Sequence, residues 1–254
     1  MKFGGTSVAS PRNFLKIARI ISEKTKDYKK IVVVVSAMGK TTNKLLALAK
    51  KVNDDPPKRE QDMLISVGER ISMSLLSMAL QSKGFKSISF TGSQSGIITC
   101  SNHSSAKIID VRPQRIIDAL NLENIVIVAG FQGVSKEKEI TTLGRGGSDT
   151  SAVALAIALN SEIVEFYKDV DGIYETDPKK DRNSFFFSEL TYEKALKIIE
   201  KNTHFVLHPR SIKLACDNNI KLIIRSFKNR NKKKFTIIGK DPFKKVKKNV
   251  YEDI

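Results

Sequence analysis

Two five-residue runs, Ile31–Val35 (IVVVV) and Ile125–Ala129 (IVIVA), constrain this chain more than any other feature. Each is apolar without interruption and rich in β-branched residues. A strand that alternates apolar and polar residues leaves one face to water, whereas a strand without alternation is covered on both faces. Such strands belong to parallel sheets, whose connections run through helices packed on the two faces.

The neighbouring segments fit that plan. Met1-Lys2-Phe3 reads as a short strand. Ser10-Pro11 supplies the cap and first position of a helix with an apolar face of Phe14, Leu15, Ile17, Ala18 and Ile21. Further helices are predicted near 44–51, from Pro57 to about Leu80 as one long element, over 113–120 and 151–159, from Thr191 to about Glu200, and from His208-Pro209 to about Asp217. Further strands are predicted at 86–90, 97–99, 107–111, 162–167, 221–226 and 235–238, with an exposed hairpin over 133–140. The fold class expected is α/β: an open, mostly parallel sheet with helices on both faces.

With 254 residues, 41% hydrophobic and 28% charged, the chain has the makeup of a soluble globular protein with a large core. The net charge of +17 raises nucleic acid as a partner. The lysine excess, however, is spread along helix faces and clusters near the C-terminus without an aromatic stacking platform, so no nucleic acid partner is expected. The two cysteines, Cys100 and Cys216, have no metal spacing and fit a reduced cytoplasmic setting. The start MKFGGTSVAS lacks an apolar signal core, and the longest apolar runs are too short to span a bilayer, so no membrane partner is expected.

The polar residues that carry chemistry follow the predicted strands. Gly4-Gly5 sits between a strand and a helix, a candidate phosphate cradle next to Lys2 and Phe3. Ser36–Asn43 follows the first buried run, at the strand end where ligands of open α/β sheets bind. Its Gly39-Lys40-Thr41 is not a P-loop, because Val34 occupies the position that needs glycine. Glu69 has two readings: the third residue of a capping box begun by Ser66, or a carboxylate held at a helix start to receive an ammonium group. Gly144-Arg145-Gly146-Gly147, before Ser148 and Asp149, also has two: a capped turn, or an anion site in which Arg145 and a helix N-terminus face the ligand. Lys168 to Pro178 is a turn-rich loop without calcium-loop spacing. His103 is expected in a solvated loop.

Six motifs appear in order: KFGGTS (2–7), VVVSAMGKTTN (33–43), SVGERIS (66–72), TLGRGGSDTSA (142–152), YKDVDGIYETDPK (167–179) and VLHPRS (206–211). Together they resemble the catalytic domain of aspartate kinases, in the amino acid kinase superfamily, over nearly the whole chain. The resemblance implies a three-layer amino acid kinase fold over residues 1–240, with the N-terminal part binding the amino acid, roughly 160–240 binding nucleotide, and a basic tail over 241–254. It implies transfer of the ATP γ-phosphoryl group to the side-chain carboxylate of L-aspartate, giving 4-phospho-L-aspartate, the first step of lysine, methionine and threonine biosynthesis. The alternatives are a catalytically weakened nucleotide-binding relative and a sister kinase acting on glutamate.

The resemblance also assigns roles. Lys2 bridges the carboxylate and the transferring phosphoryl group. Asp149 orients Lys2 or helps organise Mg²⁺, which is held largely by phosphates and water, with no protein metal ligand assigned. Thr42, Glu69, Arg145 and Ser148 hold aspartate. Lys2, Phe3, Gly4, Gly5, Lys168, Asp169, Tyr174 and Lys179 contact ATP. The family usually has threonine at 168 and arginine at 179, where this chain has lysine. It usually has a phosphate-contacting lysine at 205, where this chain has phenylalanine. The β1 segment is also a few residues short of the family pattern. By the same resemblance a homodimer is expected, and lysine or threonine feedback is expected to be absent because the sequence stops where regulatory ACT domains begin.

Overall fold

The computed structural model describes residues 1–176, 178, 181, 183–201, 206–228, 234–239 and 250–253. Lys179 and Phe205, two of the departures noted above, lie outside the described residues. The first half of the chain runs β1 (Lys2–Phe3), α1 (Pro11–Lys24), β2 (Val32–Val35), α2 (Thr41–Val52), α3 (Lys58–Ile65), α4 (Val67–Gln81), β3 (Ser87–Phe90), β4 (Ile97–Thr99), β5 (Ile108–Val111) and α5 (Gln114–Asn121). Then come β6 (Ile125–Ala129), β7 (Gln132–Ser135), β8 (Ile140–Thr142), α6 (Gly147–Ala158) and β9 (Ile163–Lys168). The last part comprises β10 (Ile173–Tyr174), β11 (Phe186–Phe187), β12 (Glu189–Leu190), α7 (Tyr192–Lys201), α8 (Pro209–Asn218), β13 (Lys221–Ser226) and β14 (Phe235–Ile238).

The main sheet has the order β12-β14-β13-β9-β1-β2-β6-β3, parallel throughout except for the β13–β14 pair. A smaller sheet, β5-β4-β7-β8, and the ribbon β10–β11 stand beside it. The expected open, mostly parallel sheet is therefore present, and the two runs that suggested it are β2 and β6, adjacent interior strands of it. Side chains alternate between two cores. Val34, Val128 and Phe166 pack on the face of α6 and α8; Val33, Val35, Ile127 and Tyr167 pack on the face of α1 and α4. Each fully buried valine or isoleucine contributes about 1.5–3 kcal/mol relative to exposure, which is why neither face of these strands tolerates polar residues.

Several local expectations need correction. The helix after Pro57 is two helices: at Ser66 the chain turns, and the Ser66 hydroxyl donates back to the Met63 carbonyl at 2.9 Å instead of capping α4, so there is no capping box at Glu69. Taken as one run, Lys58–Gln81 is long and apolar enough to cross a membrane. Yet 56% of its most apolar window is buried, and α4 packs on α1, β3 and β6, as a core helix does. α6 starts at Gly147, four residues earlier than expected, because Gly146 in the left-handed region (φ +70°) caps it and puts Ser148 and Asp149 in the first turn. α2 likewise begins at Thr41. Leu15 is 47% exposed, off the buried face of α1 formed by Phe14, Ile17, Ala18 and Ile21. His103 is not free in solvent: its Nδ1 lies 2.8 Å from the fully buried Asp62. At the C-terminal end, Val250 and Glu252 are fastened to Asn218, Ile108 and Arg210.

Candidate active site

The C-terminal ends of β1, β2, β6 and β9 are level with one another because the strands are parallel and in register: Phe3 pairs with Val35 and Tyr167, and Val35 with Ala129. The loops that leave those ends are thereby brought together. The Gly4-Gly5 turn lies on the loop after β2: the Gly39 N–H donates to the Gly5 carbonyl at 3.0 Å. A side chain at Gly5 would put Cβ 3.1 Å from the Ala37 carbonyl oxygen, a tight contact that glycine avoids. The Ala37 N–H in turn donates to Oε1 of Glu69 at 2.9 Å.

Lys2 and Asp149 meet at the centre of this edge. Lys2 Nζ is 2.6 Å from one carboxylate oxygen of Asp149, and Lys168 Nζ is 2.9 Å from the other. Lys2 and Asp149 are 4% and 5% exposed, so the cluster is shielded from water and its charges interact strongly. Burial raises the Asp149 carboxyl, but the Lys168 and Lys2 ammoniums outweigh it and bring it down to about 2. Desolvation dominates at Lys2, where Asp149 pulls upward and Lys168 downward, and the ammonium settles at about 8. Two ammoniums share one carboxylate, leaving one positive charge uncompensated, an arrangement suited to an anion. Both Asp149 oxygens are engaged by lysine. Among the described residues no cluster of three or more His, Cys, Asp or Glu could hold a metal ion.

Glu69 is 3% exposed, and only one of its oxygens has a partner; Oε2 is buried without one. Desolvation pushes its carboxyl from the ordinary 4.5 up to about 7, against the opposing pull of the Ala37 N–H and Lys2. A buried carboxylate oxygen without a partner costs free energy until a donor arrives, and an ammonium group is the donor that also restores the charge. Thr42 sits in the first turn of α2, half-buried. Arg145 is exposed in the turn before α6, and Ser148 is buried in that helix's first turn.

The nucleotide residues divide. Gly4 does not present a free N–H: it points at the Tyr167 carbonyl at 3.5 Å, continuing the β1–β9 ladder. Phe3 is fully buried and stacks on Tyr167 with ring centroids 4.5 Å apart, so only its backbone is available to a ligand. Asp169 is exposed just past β9. Tyr174 forms an edge-to-face pair with Phe186 at 5.1 Å, and the Lys234 ammonium lies over both rings, at 5.2 and 4.8 Å.

Three residues that the sequence reading passed over hold the arginine loop. Asp62 accepts from the Thr142 N–H at 3.1 Å and its hydroxyl at 2.5 Å, and from the Ser104 N–H at 3.0 Å. Arg210 donates to the Leu143 carbonyl and the Ala106 carbonyl, both at 2.6 Å, and Glu252 pairs with the same guanidinium. Thr142 and Leu143 are thus fixed from two sides just before Gly144-Arg145. Behind the loop, a Cβ at Gly146 would fall 2.2 Å from that of His208, so α8 abuts this turn. Arg210 lies inside the VLHPRS motif, which was a signal; nothing in the local pattern marks Asp62 or Glu252.

The amino acid kinase family profile matches residues 1–226. The aspartokinase of Bacillus sp. (strain MGA3) is 47% identical over 225 residues, which is 89% of this chain and 54% of that protein. The aspartate kinase of Synechocystis superposes with a TM-score of 0.81 at 39% identity, covering 94% of this chain and 39% of that one. E. coli aspartokinase III, solved with aspartate and ADP, gives 0.83 at 26% identity, covering 94% and 63%. This chain spans about half the length of the curated relatives it matches.

Proposed function

The chain belongs to the amino acid kinase family, and on that premise we propose that it transfers the γ-phosphoryl group of ATP to the side-chain carboxylate of L-aspartate, giving 4-phospho-L-aspartate and ADP in the cytoplasm. The observation that carries this reading is the pairing of a buried cationic cluster, Lys2–Asp149–Lys168, with the partnerless buried oxygen of Glu69 along one edge of the sheet.

The chemistry asks for that pairing. An aspartate carboxylate oxygen forms a bond to the γ-phosphorus while the bond to the β-phosphate oxygen breaks. The nucleophile is already ionised, so no general base is needed; the obstacle is bringing two anions together. Lys2, held by Asp149, lies between the reacting oxygens and neutralises charge as it spreads over the phosphoryl group. Lys168, where relatives usually carry threonine, adds a second cation beside it. Glu69 receives the substrate ammonium, Arg145 grips the α-carboxylate, and Thr42 and Ser148 complete the pocket. Asp169, Tyr174 and Lys179 serve the nucleotide, with the Gly5 turn at the phosphates. Mg²⁺, when bound with ATP, supplies further charge neutralisation through the phosphate oxygens.

The test is ATP-dependent formation of an acyl hydroxamate in the presence of hydroxylamine, with L-aspartate, L-glutamate and N-acetylglutamate offered in turn. Product from L-aspartate is expected, with little from the other two. A preference for glutamate would assign the sister activity, and absence of product from all three would leave a nucleotide-binding relative.

A further inference from the structure

Gln132 opens β7, is 2% exposed, and links the two halves of the amino acid pocket. Its Nε2 donates to the Ser66 carbonyl at 2.8 Å, in a bond shielded from water. Ser66 is the turn between α3 and α4 and lies three residues before Glu69. Through its backbone, Gln132 pairs across the β7–β8 ladder with Thr142, three residues before Arg145. One residue therefore touches both the start of the helix that carries Glu69 and the hairpin that leads into the arginine turn.

Neither end of this link has slack. The Ser66 N–H donates to the Asp62 carbonyl at 3.1 Å and the Ser66 hydroxyl to the Met63 carbonyl, so both turn back into α3. The first turn of α4 lies against the loop after β2: a Cβ at Gly68 would fall 2.8 Å from the Cβ of Ala37. Ala37 is the residue whose N–H donates to Oε1 of Glu69. At the strand end, a Cβ at Gly92 would fall 2.0 Å from the Gln132 carbonyl oxygen, so the neighbouring loop presses on this backbone. Phe131, one residue earlier, takes the left-handed conformation (φ +66°), which is costly for an aromatic residue. It is held there from two sides. The Phe131 N–H donates to the Ser151 hydroxyl at 3.1 Å, and the Leu143 N–H donates to the Phe131 carbonyl at 2.9 Å. A corner fixed in this way sets the direction in which the next side chain leaves the strand.

We propose that Gln132 is a positioning residue for amino acid binding: it holds the start of α4 against Ala37, so that Glu69 meets the substrate ammonium at a fixed separation from the arginine turn. One oxygen of Glu69 has no partner within the protein, so the carboxylate is placed by its helix more than by its own bonds. The role rests on the activity proposed above, in which Glu69 receives an α-ammonium group. That group is held alike before and during phosphoryl transfer, so misplacing Glu69 weakens binding of the amino acid rather than the chemical step.

Gln132→Met tests this, because methionine keeps the length of the side chain and removes the donor. Amide exchange is followed at Ala37 and, as a core reference, at Val128, which is fully buried in β6. Steady-state kinetics are measured with L-aspartate and ATP varied separately. We expect exchange at Ala37 to quicken about tenfold with Val128 unchanged, the KM for aspartate to rise about tenfold, and kcat and the KM for ATP to stay within about threefold. Unchanged exchange at Ala37, equal quickening at both amides, or equal changes in the two KM values would overturn the positioning role. Absence of product from the wild type would sink the activity instead, and the exchange arm would then decide the role of Gln132.

Discussion

Lys168 donates to both oxygens of Asp149, at 2.9 and 3.1 Å, the same carboxylate that holds Lys2 at 2.6 Å. One consequence is a coupling between the two lysines. Lys168 is among the causes that lower the Lys2 ammonium toward 8, so its cationic form is lost earlier as pH rises. In Lys168→Thr the like charge is gone and Asp149 serves Lys2 alone. The alkaline limb of the rate profile is expected to move upward, measurable from kcat/KM between pH 7 and 10. An unmoved limb would mean that Lys2 is not the group titrating there.

The wild type itself should give a narrow bell. Glu69 sits at about 7, raised by burial, so it is ionised and able to hold an ammonium only above that pH. Lys2 sits at about 8 and is cationic only below it. The free enzyme's kcat/KM for aspartate is therefore expected to fall below about pH 7 and above about pH 8. Glu69→Gln removes the acid limb, because the amide does not titrate.

Glu69→Gln and Arg145→Ala should each weaken aspartate binding, by about 10- to 100-fold for a lost charged hydrogen bond, while leaving the KM for ATP within a few-fold. Steady-state kinetics with each substrate varied separately checks this. Equal losses for both ligands would detach these residues from the amino acid.

Asp62 stabilises the loop ahead of Arg145 through hydrogen bonds to Thr142 and Ser104, and it also pairs with His103. Asp62→Ala leaves those donors buried without an acceptor, a cost of about 1–3 kcal/mol, so Tm should drop by about 3–10 °C. The KM for aspartate should rise more than that for ATP. Glu252→Gln, which loosens Arg210 rather than the core, should reproduce the kinetic change with a smaller loss of Tm.

What could be read from the sequence followed local pattern. The IVVVV and IVIVA runs became adjacent interior strands because an uninterrupted apolar strand has one stable environment, a sheet covered on both faces. Ser10-Pro11, Thr191 and His208-Pro209 marked helix starts by backbone preference; the Thr191 hydroxyl accepts the Lys194 N–H, and the His208 side chain accepts that of Arg210. What escaped was set by partners distant in sequence. Lys168 and Asp149 belong to different elements, Asp62 lies in a charged helical stretch that reads as solvent-facing, and Arg210 meets Glu252 forty-two positions later. The early start of α6 depends on Gly146 taking a positive φ against His208, a packing event that no spacing rule encodes. The two-residue strands β10, β11 and β12 were likewise too short to leave a periodic trace.

The most direct measurement sets wild type beside Lys2→Met in the hydroxamate assay with ATP and L-aspartate at pH 7.5, with ATP binding measured separately on both. We expect product from the wild type and a turnover number about 10³-fold lower in the variant, with ATP affinity changed less than tenfold. Equal turnover in the two proteins, or no product from the wild type, would contradict the role assigned to the buried lysine.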